Sequence, residues 1–137
     1  MDYQGVIKML KANEGFRSKP YRCSAGKLTI GYGRNIQERG IDESEAASML
    51  INDIEEVVAD LHSIFQGFDD YSDSRQAALI DMRFQLGYGG FRGFKKMIAA
   101  VRAGDWKEAA RQVKDSDYYR QVTGRAERVV GMMIDGQ

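Results

Sequence analysis

The stretch from Glu14 to Gly33, EGFRSKPYRCSAGKLTIGYG, sets how the rest of the chain is read. Just before it, Val6, Ile7 and Leu10 recur at helical spacing over residues 3–12, and Gly15 fits the stop of that helix. Glu14 then stands at the C-terminal edge, where the macrodipole disfavours a negative charge, a setting that suits a proton donor. Taken alone, a Glu in such a place reads first as a solvated surface residue. Residues 16–35 are rich in Gly, Tyr, Thr and Ile, with Pro20 and a turn signal at Ser24-Ala25-Gly26. They predict short strands over roughly 17–22 and 27–32, with a third over 34–36. Gly31 and Gly33 flank Tyr32, and glycines there serve either close approach to the backbone or a sharp strand twist. They form no dinucleotide fingerprint, since no further Gly follows at the required spacing.

Downstream the pattern turns helical. Asp42 is an N-cap with Glu45 three residues on, close to a capping box. Ala46, Leu50, Ile54, Val57, Leu61 and Phe65 then form one stripe, which predicts a helix on the order of 35 Å long ending near Gln66-Gly67. Ser72 or Asp73 caps the next helix, whose Ala77, Leu79, Ile80, Met82, Phe84 and Leu86 leave few polar faces and predict burial. Asp81 within it is expected to hydrogen-bond to backbone, because a bare buried charge is too costly. Gly87, Gly89, Gly90 and Gly93 read as a loop. Further helical runs follow, with Asp105 as an N-cap, Trp106 as a core anchor and a last helix over about 124–134.

Composition narrows the function classes. In 137 residues, 43% hydrophobic and 29% charged, there is room for one domain or two small lobes and no sign of disorder. A single Cys forms no internal disulfide, so the fold does not depend on an oxidising compartment. Net charge is zero, which gives no support to a general polyanion binder while leaving room for a local basic face. No apolar run reaches membrane-spanning length, and the N-terminus lacks the pattern of a signal peptide. Synthesis in the cytoplasm is therefore expected. The lone His62 has no metal-ligand cluster around it, so neither metal nor cofactor is assigned.

The pattern E-G followed by Y-x-x-x-x-G-x-x-T-I-G-x-G resembles the phage lysozymes of the T4 type, glycoside hydrolase family 24. The resemblance continues through RQAALIDMRFQLG, DWKEAA and DYYRQVTGRAERV, in the family's order, over nearly the whole chain. It implies a mostly helical α+β fold as one lysozyme-like domain over 1–137. A small N-terminal lobe (1–42) with a β-hairpin or three-stranded sheet is joined by a long helix (43–66) to an all-helical lobe (67–137). It puts the catalytic Glu on Glu14 and the catalytic Thr on Thr29, and it places Cys23 where the family usually has Asp. Asn35, Phe84 and Gln112 fall on substrate-binding positions, and Arg125 on an Arg that pairs with the acid. Arg34 replaces a His whose partner Asp is matched by Asp53.

The implied substrate is bacterial peptidoglycan, cut at the β-1,4 bond between N-acetylmuramic acid and N-acetylglucosamine for phage-induced host lysis. A monomer is expected to act in the periplasm, binding no nucleic acid and released by a separate holin or other export route. Cys23 leaves three roles open. In an active enzyme the Cys23 thiolate is the nucleophile or positions water, or else Thr29 with backbone groups holds the water and Cys23 is merely tolerated; in an inert site Cys23 is a small apolar residue of a glycan-binding relative that lost catalysis. An unrelated helical interaction protein would leave Glu14, Thr29 and the Gly-rich hairpin without a reason.

Overall fold

A computed structural model describes residues 1–136. The chain divides into two compact units, one of residues 1–48 and a second from Met49 onward. The first begins with helix α1 (Tyr3–Glu14), capped by Asp2, whose carboxylate accepts from the Gly5 N–H at 2.9 Å. Gly15, at φ 69°, ends the helix and returns its N–H to the Lys11 carbonyl. Strands β1 (Arg17–Arg22), β2 (Leu28–Gly31) and β3 (Arg34–Asn35) follow as an antiparallel sheet in the order β1-β2-β3. The register sets Tyr21 against Thr29 and Thr29 against Asn35, so Thr29 occupies the middle strand. It is the one residue among the first 48 that is buried.

A short helix α2 (Ile36–Arg39), absent from the sequence expectation, continues from the sheet. Asn35 caps it, accepting from the Glu38 N–H. Helix α3 (Glu43–Ile64) opens with the expected capping box. Asp42 accepts from the Glu45 N–H at 2.9 Å, and Glu45 accepts from the Asp42 N–H at 3.0 Å. One expectation is corrected here. Arg34 does not pair with Asp53 but with Glu45, at 2.5 and 2.6 Å, two turns nearer the helix start. The cap holds that carboxylate at the helix start, in reach of β3.

The second unit holds the hydrophobic core. Leu61, Phe65, Leu79, Met82, Phe91, Met97 and Met133 are wholly enclosed, with Phe65 and Phe91 meeting edge to face at 6.2 Å. The helices α4 (Asp73–Arg92), α5 (Lys95–Arg102), α6 (Trp106–Lys114), α7 (Asp117–Gln121) and α8 (Thr123–Asp135) build it around the second half of α3. Ser72 and Asp105 cap α4 and α6 as expected, and Trp106 packs edge-on against Tyr71. Two details differ from expectation. The glycine-rich segment after Leu86 is not a loop: Gly87 (φ 77°, ψ 177°) makes a kink, and the chain resumes helical turns to Arg92. Asp81 does not bond to backbone; it accepts both nitrogens of the Arg125 fork.

Candidate active site

Glu14 is the last residue of α1 and lies against the hairpin. A Cβ built on Gly33 would fall 2.6 Å from Glu14 Cδ and 3.1 Å from its Cγ. Gly33 also has φ 70°, a conformation that L side chains rarely adopt. The group that approaches this glycine closely is thus the Glu14 carboxyl, and any larger residue would push it away.

Cys23 and Thr29 come together around the turn between β1 and β2. Cys23 donates its N–H to the Lys27 carbonyl at 3.0 Å and accepts from the Gly26 N–H at 2.8 Å. Arg22 closes the turn from outside, donating to the Gly26 carbonyl. The Lys27 backbone N–H, and after it the Ala25 N–H, holds the thiol of Cys23 below its ordinary pKa, partly opposed by desolvation, with a smaller contribution from the Thr29 hydroxyl. Thr29 is 3% exposed and donates its one hydroxyl proton to the Lys27 carbonyl at 2.9 Å. With that proton committed, the backbone amides carry most of the effect on the thiol, and the Thr29 oxygen is left free to accept.

The remaining sequence-assigned residues do other work as well. Asn35 is occupied as the cap of α2, with its amide nitrogen also 3.4 Å from the Glu38 carboxylate. Phe84, 43% exposed on α4, lines a groove of about 440 Å³ with Leu50, Ile54, Ile80, Asp81 and Arg125. Arg125 is engaged there by Asp81 through Nε and one terminal nitrogen, each at 2.9 Å. Gln112 lines a different hollow of about 800 Å³, with Gln85, Lys95, Lys96 and Tyr118. It donates to Glu108, whose carboxyl is drawn down to about 2, first by Arg111 and then by Gln112. The Tyr118 hydroxyl in the same hollow is buried and has no hydrogen-bond partner among the described residues. Phe84 and Gln112 are therefore not neighbours in one hollow. The seat of Glu14 on Gly33 was missed from the sequence, although the unexplained glycine beside Tyr32 was its signal.

No group of three or more His, Cys, Asp or Glu among the described residues is arranged to hold a metal ion. No helix of theirs is long and apolar enough to cross a membrane. The phage lysozyme family model matches residues 11–133. The pre-baseplate central spike protein Gp5 of Enterobacteria phage T4 is 30% identical over 159 aligned positions, which cover 96% of this chain and 28% of that protein. This chain thus spans little more than a quarter of that relative's length. A probable T4-type lysozyme 2 of Dictyostelium discoideum is 26% identical, with 93% of this chain and 92% of the relative covered. An endolysin of Acyrthosiphon pisum secondary endosymbiont phage 1 is 28% identical, with 78% and 73% covered.

Proposed function

Because the chain belongs to the phage lysozyme family and is a glycoside hydrolase, we propose that it is a muramidase, cutting the β-1,4 bond between N-acetylmuramic acid and N-acetylglucosamine in peptidoglycan. The observation that carries this reading is the carboxyl of Glu14 seated on Gly33 of the T-I-G-Y-G hairpin. Glu14 donates its proton to the glycosidic oxygen as the bond to the anomeric carbon breaks. On the other side, the Cys23 thiolate takes the place of a carboxylate. Either its sulfur forms a bond to the anomeric carbon, to be displaced later by water that Glu14 deprotonates, or it accepts a proton from the water that attacks directly. Thr29 supports the water route, since its hydroxyl oxygen can accept from that water. Asn35, Phe84 and Gln112 are the polymer-binding residues in this reading and Arg125 an acid-supporting one, with its Nε and one terminal nitrogen engaged by Asp81. Its setting is host lysis, with a holin or another export route giving access to the wall.

A peptidoglycan-binding module with weakened catalysis is the second reading, favoured by the enclosure of Thr29 and the missing second carboxylate. Clearing of outer-membrane-permeabilised bacteria decides between them. The wild-type protein should clear the suspension, and Glu14→Gln, nearly isosteric but unable to donate the proton, should not. Clearing at the wild-type rate by a folded Glu14→Gln protein would sink the acid assignment. A wild-type protein that sediments with peptidoglycan without solubilising it would establish the binding module instead.

A further inference from the structure

On a chain of zero net charge, one segment is charged in a single sense: residues 15–37 contain Arg17, Lys19, Arg22, Lys27 and Arg34 and no Asp or Glu. Two of these cations are neutralised, Lys27 by Glu38 at 2.9 Å and Arg34 by Glu45. Arg17, Lys19 and Arg22 on β1, and Lys11 on the last turns of α1, have no carboxylate partner among the described residues. β1 is an outer strand of the sheet and is exposed along nearly all its length. Aromatic rings sit among these charges. Phe16 and Tyr32 are 58% and 47% exposed with ring centroids 5.5 Å apart. Lys11 Nζ lies 5.2 Å from the Tyr32 centroid, and the Arg17 guanidinium lies 4.3 Å from that of Tyr21.

Neither burial nor an internal ion pair explains these groups. Exposed rings offer flat faces to the C–H faces of sugars, and uncompensated cations beside them attract carboxylates. We propose that Phe16, Tyr32, Lys11, Arg17 and Lys19 form an additional binding surface for a carboxylate-bearing glycan, namely the peptide-substituted peptidoglycan strand outside the bond being cut. The inference rests on the muramidase reading and extends it from the reacting sugars to the polymer around them. Each exposed contact is weak, but an insoluble polymer repeats its sugars and carboxylates, so weak contacts add to the retention of a bound enzyme.

The test uses the Glu14→Gln background, so that purified sacculi stay intact, and compares it with the same protein also carrying Phe16→Ser and Lys19→Glu. Binding is measured from about 0.05 to about 0.5 M salt. The additional substitutions should weaken binding about tenfold at low salt and flatten its salt dependence. On sacculi whose carboxylates have been amidated the difference between the two proteins should shrink to the part that Phe16 contributes by stacking on the sugars. With Glu14 intact, Phe16→Ser with Lys19→Glu should raise KM on sacculi and leave kcat unchanged, which also reports that the variant is folded. Equal binding of the two proteins to native sacculi, or an undiminished difference on amidated ones, would overturn the inference while leaving the muramidase intact. A wild-type protein that neither binds nor clears sacculi would overturn the muramidase reading, and the inference with it.

Discussion

Cys23 shows how far a single residue can be read before its surroundings are known. Its place in the motif, where the resembled family usually has Asp, was legible in the sequence, and so was the chemical difference between a thiol and a carboxylate. What was not legible is which donors face the sulfur, because that depends on how tightly the chain turns between Arg22 and Leu28. The turn aims the Lys27 and Ala25 amides at it, and they favour the thiolate. A thiol with a lowered pKa gains its charged form at lower pH than an ordinary Cys, so a catalytic Cys23 should act at lower pH than an unperturbed thiol would. Cys23→Ser keeps the size and removes most of the ionisation. The wild type should lose clearing activity toward the acid side of about pH 5 to about pH 8, and Cys23→Ser should be much weaker across that window. Full clearing by Cys23→Ser throughout would reduce Cys23 to a bystander and leave Thr29 with water to complete the reaction.

At the scale of elements, most boundaries followed from local rules. The capping box at Asp42 and Glu45, the caps at Ser72 and Asp105 and the glycine stop at Gly15 are short-range devices, and each was readable from residue type and spacing. The misses involve groups distant in sequence. Arg34 chose Glu45 over Asp53 because the capping box had already fixed that carboxylate. The glycines after Leu86 look like a loop, yet Gly87 alone takes the non-helical conformation. The fork from Arg92 to Asp60 ties the following turn to α3. The junction of α1 and the hairpin offers the sharpest check. Gly33→Ala puts a methyl group where Glu14 lies and imposes a left-handed residue with a side chain, at a cost of about 1 to 3 kcal/mol. The Glu14 carboxyl must then move. Clearing activity should fall by about tenfold or more, while thermal unfolding of the helical unit should change little. Near-normal clearing by Gly33→Ala would show that this seat of Glu14 is not needed for the reaction.

On the scale of the whole molecule, stability is concentrated in the second unit, where every fully enclosed apolar side chain lies. The apolar stripes made that core legible, but they said nothing of the charged cluster at its edge. Asp60 on α3 accepts from Arg83 at 2.6 Å and from both terminal nitrogens of Arg92 at 2.8 and 2.5 Å, and the Arg92 guanidinium lies 3.5 Å from the centroid of the Tyr88 ring. Arg83 is only 7% exposed, so its charge needs the carboxylate. Arg92 first, then Arg83, holds the Asp60 carboxyl down at about 2 against the opposing effect of burial. An unfolded Asp titrates near 3.9, so the folded state binds its proton less readily than the unfolded state does. The cluster of Asp60 with Arg83 and Arg92 therefore contributes about 2 kcal/mol of stability above about pH 4, and that contribution is lost as the pH falls through about 4 toward about 2. Asp60→Asn should lower the urea midpoint at pH 7 by a corresponding amount, and the gap to wild type should close toward about pH 2 as the wild-type carboxyl takes up its proton. A gap that stays constant over that range would mean that Asp60 contributes through packing and neutral hydrogen bonds, with its charge adding nothing.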